Sequence, residues 1–204
     1  IKHIDKDGKV VGGRRFMGLF TSNVYVESPF NIPLIRNKVK HVVAQSGLDL
    51  NSHNGKELHH ILDMYPRDEL FHTDEEQLTT TAIGILNIQE RRRTQIFIRK
   101  DKLNKFLSCM VYIPRDLYNT ELRQKIQNIL VAAFAPKDVE FTTFFSESIL
   151  SRTLFHLKLD PKNPPEFDLA RIEKDIQNVA RSWQDDLMSA LLDGVGEEKG
   201  NQYF

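Results

Sequence analysis

The spacing of apolar residues changes at residue 94. Upstream they recur every three or four positions, the period of a helix with one buried stripe. Downstream, Thr94–Lys100 (TQIFIRK) alternates apolar and polar, the period of a strand whose two faces differ. A chain with this switch is neither all-helical nor all-β. It reads as α+β, with helices gathered first and a sheet built afterwards.

The downstream half carries clear punctuation. Phe106–Ile113 (FLSCMVYI) is a second strand, and it stops at Pro114, which has no N–H to give to a ladder. Asn119 caps a helix with Leu122, Ile126, Ile129, Leu130, Ala133 and Phe134 on its buried stripe, and Pro136 ends it. Val139–Phe145 and Thr153–Leu159 are two further strands. Asp160–Pro165 is a rigid connector, after which Asp168 caps a long helix whose apolar positions run through Ile172, Ile176, Trp183, Leu187 and Leu191. Trp183 and Leu187 are expected to pack that helix within the chain. The order from residue 94 is therefore ββαββα. This is the element content of a ferredoxin-like split βαβ unit entered at a shifted point, with both helices on one face of an antiparallel sheet.

Residues 1–22 read as a β-hairpin turning at Asp7-Gly8. A calcium loop starting at Asp5 fails, because Lys9 and Phe16 stand where ligands are required. Residues 23–93 form three helices. The first has Pro33 near its first position and Ile35, Val39, Val42 and Val43 on one face, and Gly47 stops it in a left-handed cap. The second carries Leu58, Ile61 and Leu62 and ends before Pro66. The third opens with a Thr73–Glu76 capping box and runs into Arg91-Arg92-Arg93. The expected units are residues 1–22, 23–93, 94–160 and 161–204, the last being the connector and C-terminal helix.

Charge narrows the partners. Twenty-eight basic residues balance 28 acidic ones in a chain of 204, which disfavours a nucleic-acid coat or a basic membrane-surface helix. No apolar run approaches the ~18 residues of a bilayer span. A single cysteine, Cys109, permits no internal disulfide and points to a reducing, cytoplasmic setting. The opening Ile1-Lys2-His3-Ile4 has no initiator Met and no signal pattern, as expected of a piece from inside a longer protein.

Few side chains compose a site. His53, His59, His60 and His72 lack metal-ligand spacing and read as a solvated face. Arg91–Arg93 either complements a helix C-terminus or holds a phosphate or carboxylate bidentately. Phe97, Tyr112 and Phe145 would stack nucleic-acid bases only on an exposed sheet face. Cys109 sits among apolar neighbours, as an inert thiol does, and Ser108 lacks a nucleophile elbow. There is no phosphate-cradling glycine loop, so no cofactor is expected within the chain. One loop stands out: Arg115, Asp116, Tyr118, Asn119 and Thr120 join a strand to a helix N-terminus, where free amides favour an anion or an acidic partner.

Four stretches carry a resemblance: FMGLFTS (Phe16–Ser22), YPRDELF (Tyr65–Phe71), VYIPRDLYNTELRQKI (Val111–Ile126) and RSWQDDL (Arg181–Leu187). In this order they resemble the N-terminal regulatory region of the large bacterial class of NAD-specific glutamate dehydrogenase. The resemblance implies an ACT-like module over the ββαββα part and the end of a PAS-like module at residues 1–22. It further implies a catalytic core elsewhere in a longer, NAD-using parent that oxidises L-glutamate. The partners implied are the remainder of the same chain, other copies in a homo-oligomer, and an amino-acid effector; neither nucleic acid nor membrane is among them. The loop at Pro114–Thr120 lacks the glycine that effector-binding ACT modules often carry there, which favours a contact role for it.

Overall fold

A computed structural model describes residues 2–14, 18, 21–163 and 165–181. It contains an N-terminal hairpin, a helical layer and a four-stranded sheet backed by two further helices. In the hairpin, β1 (Lys2–Ile4) pairs antiparallel with β2 (Val10–Gly13). Asp5 Oδ1 accepts from the amides of Asp7 and Lys9, and Gly8 supplies the positive φ of 79° that the turn requires.

The helical layer holds the three expected helices: α2 (Ile35–Ser46), α3 (His53–Asp63) and α5 (Glu75–Arg91). Two short ones join them, α1 (Ser22–Val26) and α4 (Arg67–His72). The α4 turn forms within YPRDELF because Pro66 supplies a preset φ before it and Asp68 and Glu69 occupy its first turn. Gly47 closes α2 at φ 65°, as its position predicts. Two expectations fail locally. Helix α2 starts at Ile35 rather than Pro33, because Leu34 takes φ 71°. The cap of α5 is Asp74, whose carboxylate accepts from the Gln77 amide at 2.9 Å. Thr73 instead turns back, donating its hydroxyl to the Glu69 carbonyl at 2.7 Å to finish α4. The predicted box thus serves two helix ends, with the Glu69 carbonyl accepting from both the Thr73 amide and its hydroxyl.

The sheet comprises β3 (Gln95–Lys100), β4 (Phe106–Pro114), β5 (Asp138–Phe144) and β6 (Leu150–Lys158) in the order β3-β4-β6-β5, all antiparallel. Helix α6 (Thr120–Phe134) follows β4 and α7 (Leu169–Val179) follows β6. Strands β4 and β5 run parallel with β6 inserted between them, which is the split βαβ arrangement entered one strand early. Asn119 and Asp168 cap α6 and α7 as expected, accepting from Leu122 N and Arg171 N. Strand β6 begins three residues before the predicted Thr153, because Leu150 pairs with Pro114.

Helices α6 and α7 cover one face, where Cys109, Val111, Phe155 and Leu157 meet Ile126, Leu130 and Ile176. The opposite face is also covered. Met110, Tyr112, Leu150 and Leu154 join the core of the helical layer with Leu78, Ala82 and Ile85. Burial on both faces explains why Leu107 to Pro114 is buried without a break. It also takes Phe97 and Tyr112 off any exposed stacking face, since they stand edge-to-face, 6.0 Å apart, beneath the helices, while Phe145 stays exposed.

Candidate functional site

The helical layer and the sheet are joined by ions as well as by apolar contact. Glu69 on α4 receives two hydrogen bonds from Arg99 on β3, Nε at 2.6 Å and Nη2 at 2.8 Å, the fork geometry that suits a carboxylate. Glu69 is 4% exposed and Arg99 8%. Burial alone would loosen the guanidinium's proton, but the Glu69 hydrogen bonds and charge outweigh it and hold the Arg99 pKa above its usual value. Around this pair, Gln77 Nε2 donates to the Ile98 carbonyl, and Lys38 Nζ donates to the carbonyls of Leu70 and Thr73 at 2.6 Å each. Arg67, two residues before Glu69, ties the carbonyls of Glu27, Asp63 and Tyr65. The YPRDELF stretch is therefore a joint: Tyr65 and Leu70 fill the core, Arg67 gathers loops and Glu69 grips the sheet. Sequence reading passed over Glu69. Its signal was present, since a cation at Arg99 shares a strand face with Phe97.

Beside the pair opens a cavity of about 370 Å³ between α4 and the sheet. Its sheet wall follows from register: Arg99, Ser108, His156 and Glu140 form one row across the four strands, and Lys158 and Asp138 form part of the next. Both signs of charge line one wall, with Phe106 beneath the Arg99 guanidinium at 5.5 Å.

The loop singled out in the sequence lies at another edge, and its groups are largely engaged internally. Arg115 Nη1 donates to the Ser146 carbonyl at 3.0 Å, and its amide donates to the Ile149 carbonyl. Asp116 meets Arg92 at 3.4 Å. The Tyr118 hydroxyl bonds Thr143, and its ring stands edge-to-face with Phe145. Asn119 is the α6 cap, and Thr120 is the exposed first residue of that helix. The structure thus brings Arg115 and Tyr118 to the β5–β6 connection, fastening one end of the sheet. Trp183 and Leu187 lie outside the described residues. His59 stacks on Phe30 at a ring separation of 4.0 Å.

Two models of known protein families match the chain, one on either side of residues 92–94. Residues 32–91, which contain α2 to α5, match the family description "Glutamate dehydrogenase, helical motif 1". Residues 95–184, which contain the sheet, α6 and α7, match "Glutamate dehydrogenase, ACT2 domain". The chain belongs to the glutamate dehydrogenase family. It is 46% identical over 201 residues to the NAD-specific glutamate dehydrogenase of Halomonas elongata and 48% identical over 200 residues to that of Pseudomonas aeruginosa. Each alignment takes in 98% of this chain and 12% of the relative. The enzyme of Mycobacterium tuberculosis is 33% identical over 211 residues, 97% of this chain and 13% of its own length. The chain thus spans about an eighth of these relatives. In these terms the Arg99–Glu69 pair links helical motif 1 to the first strand of ACT2. Among the described residues no helix is long and apolar enough to cross a membrane.

Proposed function

We propose that this chain is a non-catalytic regulatory and assembly segment of a cytoplasmic, NAD-dependent glutamate dehydrogenase. The parent would convert L-glutamate, NAD and water to 2-oxoglutarate, ammonium and NADH. NAD is used by the parent's catalytic core, and this segment needs no cofactor of its own. Its partners are the rest of the same polypeptide and other copies in a homo-oligomer. The observation that carries the reading is the Arg99–Glu69 pair: a desolvated ionic joint makes helical motif 1 and ACT2 move as one body. A rigid body of this kind biases a longer enzyme between states through the contacts it makes differently in each. The Arg115–Thr120 loop presents a second contact edge. The test is to weaken the joint with Glu69→Gln in the parent and follow glutamate saturation and effector response. A changed saturation midpoint at unchanged cofactor affinity is expected. Glutamate-dependent NADH formation by the 204-residue chain alone would overturn the reading.

A second reading, an amino-acid effector module, is favoured by the 370 Å³ cavity rather than by the loop. A zwitterion needs a cation and a carboxylate within one small space, and Arg99, Lys158 and Glu140 supply both signs there. Thermal melts of the chain against millimolar amino acids test it, and no shift with any of them sinks it.

A further inference from the structure

We infer that Arg92, Arg93 and Arg181 form a binding site for a small, multiply charged oxyanion. The structure brings the arginine run at the end of α5 together with Arg181, just past the end of α7, in a cavity of about 440 Å³. Thr94, Pro114, Leu117, Gln177 and Ala180 complete it, so no carboxylate lines it among the described residues. Gln177 holds the wall in place by donating to the Thr94 carbonyl at 3.3 Å.

Cations near helix C-termini often serve only the helix dipole. That role does not account for this cluster. The terminal carbonyls are met by backbone amides: Ile88 O accepts from Arg92 and Arg93, and Ile176 O and Gln177 O accept from Ala180. Among the described residues, none of the three guanidinium groups donates to a main-chain carbonyl. The one ion pair these groups make among the described residues is the exposed contact of Arg92 with Asp116 at 3.4 Å. Three unit charges outweigh the Asp116 carboxylate together with the roughly half-unit negative ends of two helices, so the cavity attracts anions. Arg92 also holds a left-handed backbone at φ 48°, where glycine is the unstrained choice. A strained arginine between two others has a reason to stay if its fork is used. Planar guanidinium forks grip phosphate or carboxylate oxygens two at a time, and several around one space select for charge of −2 or more.

Phosphate compounds and polycarboxylates share this chemistry, so the test has two arms. Pyrophosphate and citrate are titrated calorimetrically into the 204-residue chain at low ionic strength. At least one is expected to bind, with affinity falling as salt is raised, and the stronger of the two identifies the source. The double variant Arg93→Ala/Arg181→Ala should weaken that binding about tenfold or more, the loss of two charge-assisted contacts. If it melts early, Arg93→Lys/Arg181→Lys keeps the charge while removing the fork, and weaker binding is again expected. No binding of either anion at millimolar concentration overturns the proposal, as does affinity unchanged in a folded variant.

Discussion

Arg99 on β3 and Glu69 on α4 lie 30 residues apart in the chain and share two hydrogen bonds in a space almost closed to water. Breaking such a pair leaves one charge buried and alone, which costs more than the intact pair contributes. Glu69→Ala should therefore lower stability by about 3–5 kcal/mol. The double variant Glu69→Leu/Arg99→Met should recover most of that loss, because no charge is stranded. Urea unfolding of the singles and the double measures the coupling; equal losses in single and double would show that packing, not charge, holds the joint.

Gly84 on α5 faces Phe97 on β3. A methyl group there would stand 2.6 Å from Phe97 Cε1, and the ring has little room to yield because Tyr112 stands edge-on to it. Gly84→Ala should destabilise the chain by about 1–3 kcal/mol despite alanine's better helix propensity. Pairing it with Phe97→Leu should return part of the loss. A stabilised Gly84→Ala variant would mean that the layers separate more easily than their packing implies.

Cys109 is fully buried mid-strand, and burial, followed by the nearby Glu69 charge, pushes its thiol pKa up. The thiolate is the reactive form, so the native chain should not react with a disulfide reagent at neutral pH. One equivalent should react after denaturation. Rapid labelling of the native chain would place Cys109 outside the core.

Ala135 closes α6 at φ 43°, and Arg92 closes α5 at φ 48°. Each pays a left-handed penalty that glycine avoids. Ala135→Gly should raise stability by about 0.5–1 kcal/mol with no other effect. Arg92→Gly should stabilise comparably but weaken pyrophosphate or citrate binding. Thermal melts run beside calorimetry separate the two outcomes, and loss of stability in both variants would refute the strain.

Local order was written plainly in the chain. The strand period, the Pro114 stop, the Asn119 and Asp168 caps and the Gly47 terminus each depend on neighbours within one turn, so the ββαββα order follows from residues read a few at a time. The loop at Arg115–Thr120 was legible for the same reason, as a strand end meeting a helix cap. Apolar periodicity tells how much of a face must be covered, but it does not name the covering element. That Met110 and Leu154 lie under α5, that Glu69 reaches Arg99, and that Arg181 arrives beside Arg92 and Arg93 all depend on packing between distant segments. Such contacts are settled by shape and charge complementarity in three dimensions, and a one-dimensional pattern holds no record of either.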